Sequence, residues 1–373
     1  MSEYQSYEFI ALDRPLTSDE MAELREISTR AEISPTRFRN EYQWGDLRAD
    51  PKRLLARYFD AFLYVANWAS HRFMLRLPAS QVDLRRLKPY FPGEHSTLTK
   101  VGKHVVVDVW SDDEEPEDAW FEAGQLGALI PLRAELLQGD LSAAYVAWLL
   151  AVQSGDVADS AKEPPVPAGL GEPNASIIAL AEFLRIDRDL VAAAAGGSQG
   201  DSLNAEALRS WIQSRSVAEK DRWLLKAVDD PSARIGTELM AAFRGEQPKP
   251  SRKPRTVSAL LDHAEEVRLL REEAEARQAD KDRRRAQAAR KRHLAALAKQ
   301  VGHAWERLDQ LIEDRRYDEA VRLTLDLREV AVSLGRLADF ERRVALVRQQ
   351  HARRRGYLSP LKIQLARVHE QRP

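Results

Sequence analysis

Residues 271–292 read REEAEARQADKDRRRAQAARKR, and this stretch decides the architecture. It holds 14 charged residues, six alanines and two glutamines, with no large apolar side chain. A helix of that composition has no face to bury and must run through solvent. Pairs such as Glu273–Arg277 and Asp280–Arg284 support it, each worth roughly 0.2–0.5 kcal/mol. A heptad coiled coil is excluded, because the a and d positions lack Leu or Ile. The helix is expected over 256–300, where 45 residues would reach roughly 65 Å at ~1.5 Å each.

The apolar pattern resumes on the C-terminal side. Leu294, Leu297, Val301, Trp305, Leu308 and Ile312 make one stripe. Tyr317, Ala320, Val321, Leu325 and Val330 make a second, and Leu337, Phe340, Val344 and Val347 a third. Turns at 314–316 and 333–336 make residues 301–373 a bundle of three short antiparallel helices.

On the N-terminal side, residues 245–255 (GEQPKPSRKPR) form a Pro-rich basic linker. Before it, 174–244 is expected as a small helical domain. Asn174 and Asp187 serve as caps, and Ser216 with Glu219 forms a capping box. Its buried faces are Ile177, Leu180, Phe183 and Leu184, then Leu208, Trp211 and Ile212, then Trp223, Leu224 and Val228. Residues 192–199 (AAAAGGSQ) break it, and residues 163–173 (EPPVPAGLGEP) mark another linker.

Residues 1–155 read as mixed α and β. Strands are expected at 7–12, at 37–44, at 71–77 and in a hairpin formed by 97–99, Gly102 and 104–110. One helix starts at Thr17, where Glu20 closes a capping box and Leu16 staples onto Met21. Another starts at Asp50–Pro51. Its stripe of Leu54, Tyr58, Phe62 and Ala66, flanked by Leu55, Phe59 and Leu63, gives the strongest amphipathic signal in the chain. Helices at 126–138 and 141–153 follow. The fold class is therefore α+β: an N-terminal sandwich with helices on one sheet face, a small helical middle, a long charged helix and a C-terminal bundle. A ferredoxin-like topology is compatible with the N-terminal order.

The chain has 373 residues and a net charge of −1. Residues 1–245 carry 27 Lys+Arg against 38 Asp+Glu, and residues 246–373 carry 30 against 20, so an acidic part precedes a basic one. There are no cysteines, which excludes disulfides, zinc ribbons, iron–sulfur clusters and thiol nucleophiles. The first residues lack a secretory pattern, neither terminus has a lipidation signal, and the longest apolar run, 143–152, is too short to span a bilayer. A cytoplasmic location without membrane partners is expected. Phosphate-binding glycine loops, HExxH and GxSxG are all missing, so nucleotide-dependent enzymes and common hydrolases are disfavoured, and no cofactor or metal is expected.

Four constellations could still carry function. His104, Val106, Asp108 and Trp110 share one strand face, because i and i+2 point the same way. His104 and Asp108 would be a general-base pair or half a metal site, against the competing reading of an ordinary polar strand face. His95 and His71 could join them only through folding. The run 112–118 (DDEEPED) is a candidate cation or basic-tail site, but its proline and lack of glycine do not fit a calcium loop. Arg37, Arg39, Arg72 and Arg76 alternate on two strands, and would form one basic sheet face if those strands were neighbours. The sharpest signal is Lys281, Arg283, Arg284, Arg285, Arg290, Lys291 and Arg292, with a second patch at Arg353, Arg354 and Arg355. Such clusters attract phosphates or acidic proteins, although no aromatics lie between them to stack bases.

Two resemblances add to this. YEFIALDRPLTSDEM (7–21), SPTRFRNEYQWGD (34–46) and YFDAFLYVANW (58–68) resemble the opening of a family of uncharacterised bacterial proteins, a pattern that continues through a linker and helical middle into a charged helix. It implies no activity and no catalytic motif. RRYDEAVRLTLDLREVA (315–331), with Tyr317, Asp318, Glu319 and Ala320, is similar to a tetratricopeptide-type helical hairpin in one copy, which implies a protein-docking module; an array would need about three.

The expected function is a non-enzymatic adaptor, docking different partners through its N-terminal domain and its basic C-terminal region, with self-association as a further option. The alternatives are a nucleic-acid-associated protein using the basic helices and an enzyme using the His104/Asp108 face.

Overall fold

A computed structural model describes residues 4–112, 125–196, 205–229, 235–246 and 254–370. The chain divides into two compact units, Met1–Leu270 and Arg271–Pro373.

The first unit is built on a sheet of strands β1 (Gln5–Ile10), β2 (Glu32–Ser34), β3 (Arg37–Tyr42), β4 (Ala61–Ala66), β5 (His71–Pro78), β6 (Ser96–Val101) and β7 (His104–Ser111). Helices α1 (Ser18–Ile27) and α2 (Pro51–Tyr58) fall between β1 and β2 and between β3 and β4; the short α3 (Leu84–Leu87) lies between β5 and β6. The lateral order is β2-β3-β1-β4-β5-β7-β6, and all neighbours are antiparallel. The first half, strand–helix–strand–strand–helix–strand with β1 between β3 and β4, is the ferredoxin-like arrangement. Strands β5, β7 and β6 extend it: the chain skips one place after β5 to the edge strand β6 and returns through the β6–β7 hairpin. Gly102, at φ +59°, takes the first position of the two-residue β6–β7 turn, where a positive φ is required.

The long stripe read after Asp50 is two elements. Asp50 caps α2 through Lys52 N at 2.8 Å, but α2 ends at Tyr58, and residues 61–66 are the interior strand β4. A short apolar run fits a buried strand as well as a helix, and the aromatic and branched residues of AFLYVA suit a strand covered on both faces. Trp44, expected on strand β3, lies beyond its end at Tyr42 and is 75% exposed, next to a turn at Gly45 (φ +86°).

Both sheet faces are covered, not one. Tyr7, Phe9, Phe38, Phe62, Met74 and Val106 pack against Leu24 of α1 and Leu54, Leu55 and Tyr58 of α2. On the other face, Leu63, Phe73, Leu75, Val107 and Val109 meet α4 (Gln125–Leu129), α5 (Pro131–Leu137), α6 (Ser142–Gln153), α7 (Ala175–Phe183) and α8 (Arg188–Ala195). Pro131 divides what reads as one helix over 126–138 into α4 and α5.

The same core takes in Ile177, Leu180, Phe183 and Leu190 together with Val257 and Leu260, so α7 and α8 share it with the sheet. Residues 163–173, read as a linker, are packed. Leu170 is fully buried, Tyr90 donates to Pro165 O at 2.6 Å, and Glu163 N donates to Arg255 O at 2.9 Å. Prolines signal a linker only when nothing pins them, and here two tyrosines and an arginine do. Most of the second expected linker, 247–253, lies outside the described residues, as do 197–199 of the alanine-run break.

Helices α9 (Ala205–Ser214), α10 (Val217–Asp229) and α11 (Ile235–Glu246) join through Trp211, which lies 5.9 Å from Trp223 and 5.6 Å from Phe243. Leu224 and Val228, expected on a buried face, are 66% and 77% exposed; α10 packs on its Trp223 side instead.

The start of α1 forms as its sequence dictates. Thr17 Oγ1 accepts from Glu20 N, and Thr17 N donates to Glu20 Oε2 at 2.9 Å. Arg14 pairs with the same carboxylate, and that hydrogen bond together with Thr17 N pulls the Glu20 pKa down from 4.5 to about 2. Its stabilisation is thus complete above about pH 4.5 and lost as pH falls toward 2. Glu20→Gln should remove part of the drop in urea midpoint between pH 5 and pH 3; a variant with the same drop as the native chain would contradict the assignment.

Helix α12 (Val257–Lys299) begins in the first core, where Val257, Leu260 and Ala264 are buried. In the second unit, its residues 271–292 are exposed except for half-buried Arg271 and Asp280. Glu273–Arg277 and Asp280–Arg284 pair at 2.5 and 2.7 Å.

The bundle that follows has four helices: α13 (Val301–Glu313), α14 (Tyr317–Ser333), α15 (Leu337–Gln350) and α16 (Arg355–Glu370). Trp305, Leu308, Ile312, Phe340, Val344 and Leu361 centre its core, and the buried hydroxyls of Tyr357 and Thr324 lie 2.8 Å apart. Helix α16 is additional to the three expected; Pro360 within it reads as a breaker. Its approach to α14 depends on Gly356, where a Cβ would lie 2.6 Å from the Tyr317 ring. Gly356→Ala should therefore cost about 1–3 kcal/mol by overpacking; a urea midpoint equal to the native one would contradict this contact.

Candidate functional site

The upper end of the sheet carries a row of side chains on the α1/α2 face. Tyr7 stands opposite Asn40 and Tyr64, Tyr64 opposite Arg72, and Arg72 opposite Trp110. With Phe62 and the 46–51 loop this row lines a pocket of about 410 Å³. The loop is tied down from the sheet: Gln5 Nε2 donates to Gly45 O at 2.6 Å, and the Tyr7 hydroxyl donates to Asp46. Gln5 Oε1 accepts from the Tyr64 hydroxyl at 3.0 Å. Burial, and after it the charge of Asp46, pushes the Tyr64 pKa up to about 12. Burial and the hydrogen bond to Asp46 raise that of Tyr7 further. Both phenols therefore stay protonated at neutral pH.

Beneath the row lies Asp108, opposite Met74. Arg72 binds it through two hydrogen bonds of 2.8 Å, and Lys52 Nζ lies 2.9 Å from Oδ2. Burial alone would raise the Asp108 pKa, but Arg72 and Lys52 outweigh it and hold the group below the ordinary carboxylate value. At the edge of the row His95 stacks on Trp110, centroids 4.2 Å apart, and its backbone N and Nδ1 meet Asp156 at 2.8 and 3.1 Å. A Cβ at Gly93 would fall 2.2 Å from Asp156 Oδ2, so glycine keeps that acid in place.

The shared face of His104, Val106, Asp108 and Trp110 is present: Val106 belongs to the α1/α2 core, as the alternation requires. It does not bring His104 and Asp108 together. Four residues of strand separate them by roughly 13 Å, and both Asp108 oxygens are engaged by Arg72 and Lys52. Burial, with Arg76 and Lys103 nearby, lowers the His104 pKa, which is the reverse of what a carboxylate partner would do. His71 projects to the opposite face and meets Phe183 edge-on at 5.2 Å. No group of three or more metal-binding side chains occurs among the described residues.

The four strand arginines do not form one basic face. β3 and β5 are separated by β1 and β4, and their arginines lie on opposite faces. Arg37 pairs with Glu8 at 2.6 Å, and Arg39 pairs with Glu41. Arg76 enters a buried network the sequence does not announce. Asp60 Oδ1 accepts from Arg76 at 2.8 Å and lies 3.4 Å from Arg133 Nη2, while Oδ2 accepts from the backbone N of Leu12 and Asp13. Arg133 also binds Asp13 at 2.7 and 3.0 Å. The only sequence signal was an arginine inside an apolar helix. Of the acidic run 112–118, residues 113–118 lie outside the described residues.

The basic segment of α12 sorts by direction. Lys281, Arg284, Arg285, Lys291 and Arg292 fall within an arc of about 120° at 3.6 residues per turn. Arg290 points the other way and binds Asp326 and Glu329 of α14 at 2.5 and 2.6 Å, and His293 binds Asp326 at 2.8 Å. Arg283 pairs with Asp280. In the stripe itself only Arg284 has a carboxylate partner among the described residues, Asp280. Arg353 and Arg355 are exposed and Arg354 half-buried at the start of α16.

No helix among the described residues is long and apolar enough to cross a membrane. Comparison of the chain with known families, with curated proteins and with solved structures gives no match.

Proposed function

We propose that the protein is a non-enzymatic cytoplasmic adaptor whose C-terminal unit docks an acidic segment of a partner protein along the stripe of Lys281, Arg284, Arg285, Lys291 and Arg292. The observation that carries this reading is four exposed cations on one helix face with no carboxylate partner among the described residues. An exposed charge without a partner contributes little to stability, and a surface of one sign is a means of steering an opposite one. The tetratricopeptide-like hairpin of α13 and α14, to which Arg290 and His293 fasten the helix, fits a docking module.

Nucleic acid is the competing partner, and the neighbouring charges argue against it. The stripe is about 16 Å long at ~1.5 Å per residue, and at 3.6 residues per turn Glu273 and Asp280 precede it on or beside the same face. A duplex continuing past Lys281 would meet those acids, whereas an acidic helix of three turns would not.

The test is fluorescence anisotropy of a labelled 12-residue polyglutamate and of a labelled 20-bp duplex with the full chain. Polyglutamate should bind at low salt and more tightly than the duplex. If the duplex binds more tightly, with log K falling by about 4–5 per decade of salt as five phosphate contacts require, the nucleic-acid reading replaces this one. If neither binds, both fail.

A further inference from the structure

The pocket on the α1/α2 face of the sheet is not used by the reading above. We infer that it binds a small organic cation, an ammonium group carried on a short apolar body. Its walls are aromatic: Tyr7, Phe62, Tyr64 and Trp110. Tyr7 and Tyr64 are packed against each other at 4.8 Å, and Trp110 is backed by His95 at 4.2 Å. These rings are therefore fixed before a ligand arrives, and the negative faces of such rings attract cations.

The charges decide the sign of the ligand. Asp46 and Asp112 line the pocket, and Asp112 is exposed with no hydrogen-bond or ion-pair partner among the described residues. The lining arginine, Arg72, is committed to Asp108 by two hydrogen bonds, and that carboxylate also takes Lys52. The pocket and the ion cluster beneath it hold three carboxylates, Asp46, Asp112 and Asp108, against two cations, Arg72 and Lys52. The raised pKa values of Tyr7 and Tyr64, each due in part to Asp46, report the same negative field. An anion would meet that field with no free cation to receive it. A neutral ligand would gain only the apolar walls.

Choline and its uncharged carbon isostere, 3,3-dimethyl-1-butanol, separate these cases, with acetate as the anionic control. Titration calorimetry with the full chain should give saturable choline binding at least ten-fold tighter than that of the isostere, and none with acetate. Asp112→Asn, a change at an exposed position, should weaken choline at least three-fold while leaving the thermal unfolding temperature unchanged. Trp110→Leu should weaken it further. Equal affinity for choline and the isostere, binding of acetate, no saturable choline binding, or choline binding untouched by Asp112→Asn would each overturn the inference. The polyglutamate assay is independent of it, since neither substitution lies in residues 271–373.

Discussion

Asp60→Ala should destabilise the first unit by about 3–5 kcal/mol, the range for removing one partner of a buried ion pair. Asp60 is 1% exposed, and its carboxylate receives Arg76, Arg133 and two backbone N–H groups. Removing it leaves Arg76 with only the Ala56 carbonyl and strands the amides of Leu12 and Asp13. Asp60→Asn should recover little, because the amide nitrogen would face two donors in either orientation, the two arginines at the Oδ1 position or the two backbone N–H groups at the Oδ2 position. Urea unfolding followed by tryptophan fluorescence measures both. A loss under about 1 kcal/mol for the alanine variant is what an exposed pair would give, and would mean the site is hydrated rather than sealed.

Glu163→Ala should cost a similar amount, about 3–5 kcal/mol by the same reasoning. Arg255 grips Glu163 at 2.7 and 2.9 Å, and the Tyr145 hydroxyl donates to it at 2.5 Å from a fully buried ring. This triad holds two stretches of backbone together. Glu163 N bonds Arg255 O, Val257 N bonds Ala161 O, and Ser258 N bonds Asp159 O, so the first turn of α12 is anchored to the segment after α6. Amide exchange gives a second readout: the Glu163 and Val257 amides, protected in the native chain, should exchange faster in the variant by more than the global loss explains. Unchanged protection at both would show that the backbone pairing stands without the triad.

Capping residues and alternation carried most of what could be read from the sequence. Thr17 with Glu20, Asp50 with Pro51, Asn174, Asp187 and Ser216 with Glu219 each start a helix where their side chains can satisfy end amides. The β6–β7 hairpin follows from Gly102 and the valine run. Residues 271–292 are exposed because nothing in them could be buried. Three kinds of feature were illegible. Residues 61–66 are apolar on every side, so their period does not distinguish helix from strand. Residues 163–173 look like a linker because proline is local information, whereas the Arg255–Glu163 pair spans 92 positions. The pocket depends on lateral strand order: Tyr7, Tyr64, Arg72 and Trp110 lie far apart in sequence and meet only because β1, β4, β5 and β7 are neighbours. By contrast, the basic helix face needed only a helical period and was present in the sequence from the start, although the diversion of Arg290 toward Asp326 was not.

A matched pair of charge reversals in the full chain tests the docking face most directly. One variant carries Glu at Lys281, Arg284, Arg285, Lys291 and Arg292. The other carries Glu at Arg307, Arg322, Arg336, Arg348 and Lys362, five exposed cations of the same unit off the stripe. Both change net charge equally. Polyglutamate affinity at 50 mM salt should fall at least thirty-fold in the first and less than three-fold in the second. Equal losses would show that the partner responds to overall charge, and that the stripe on α12 is no docking face.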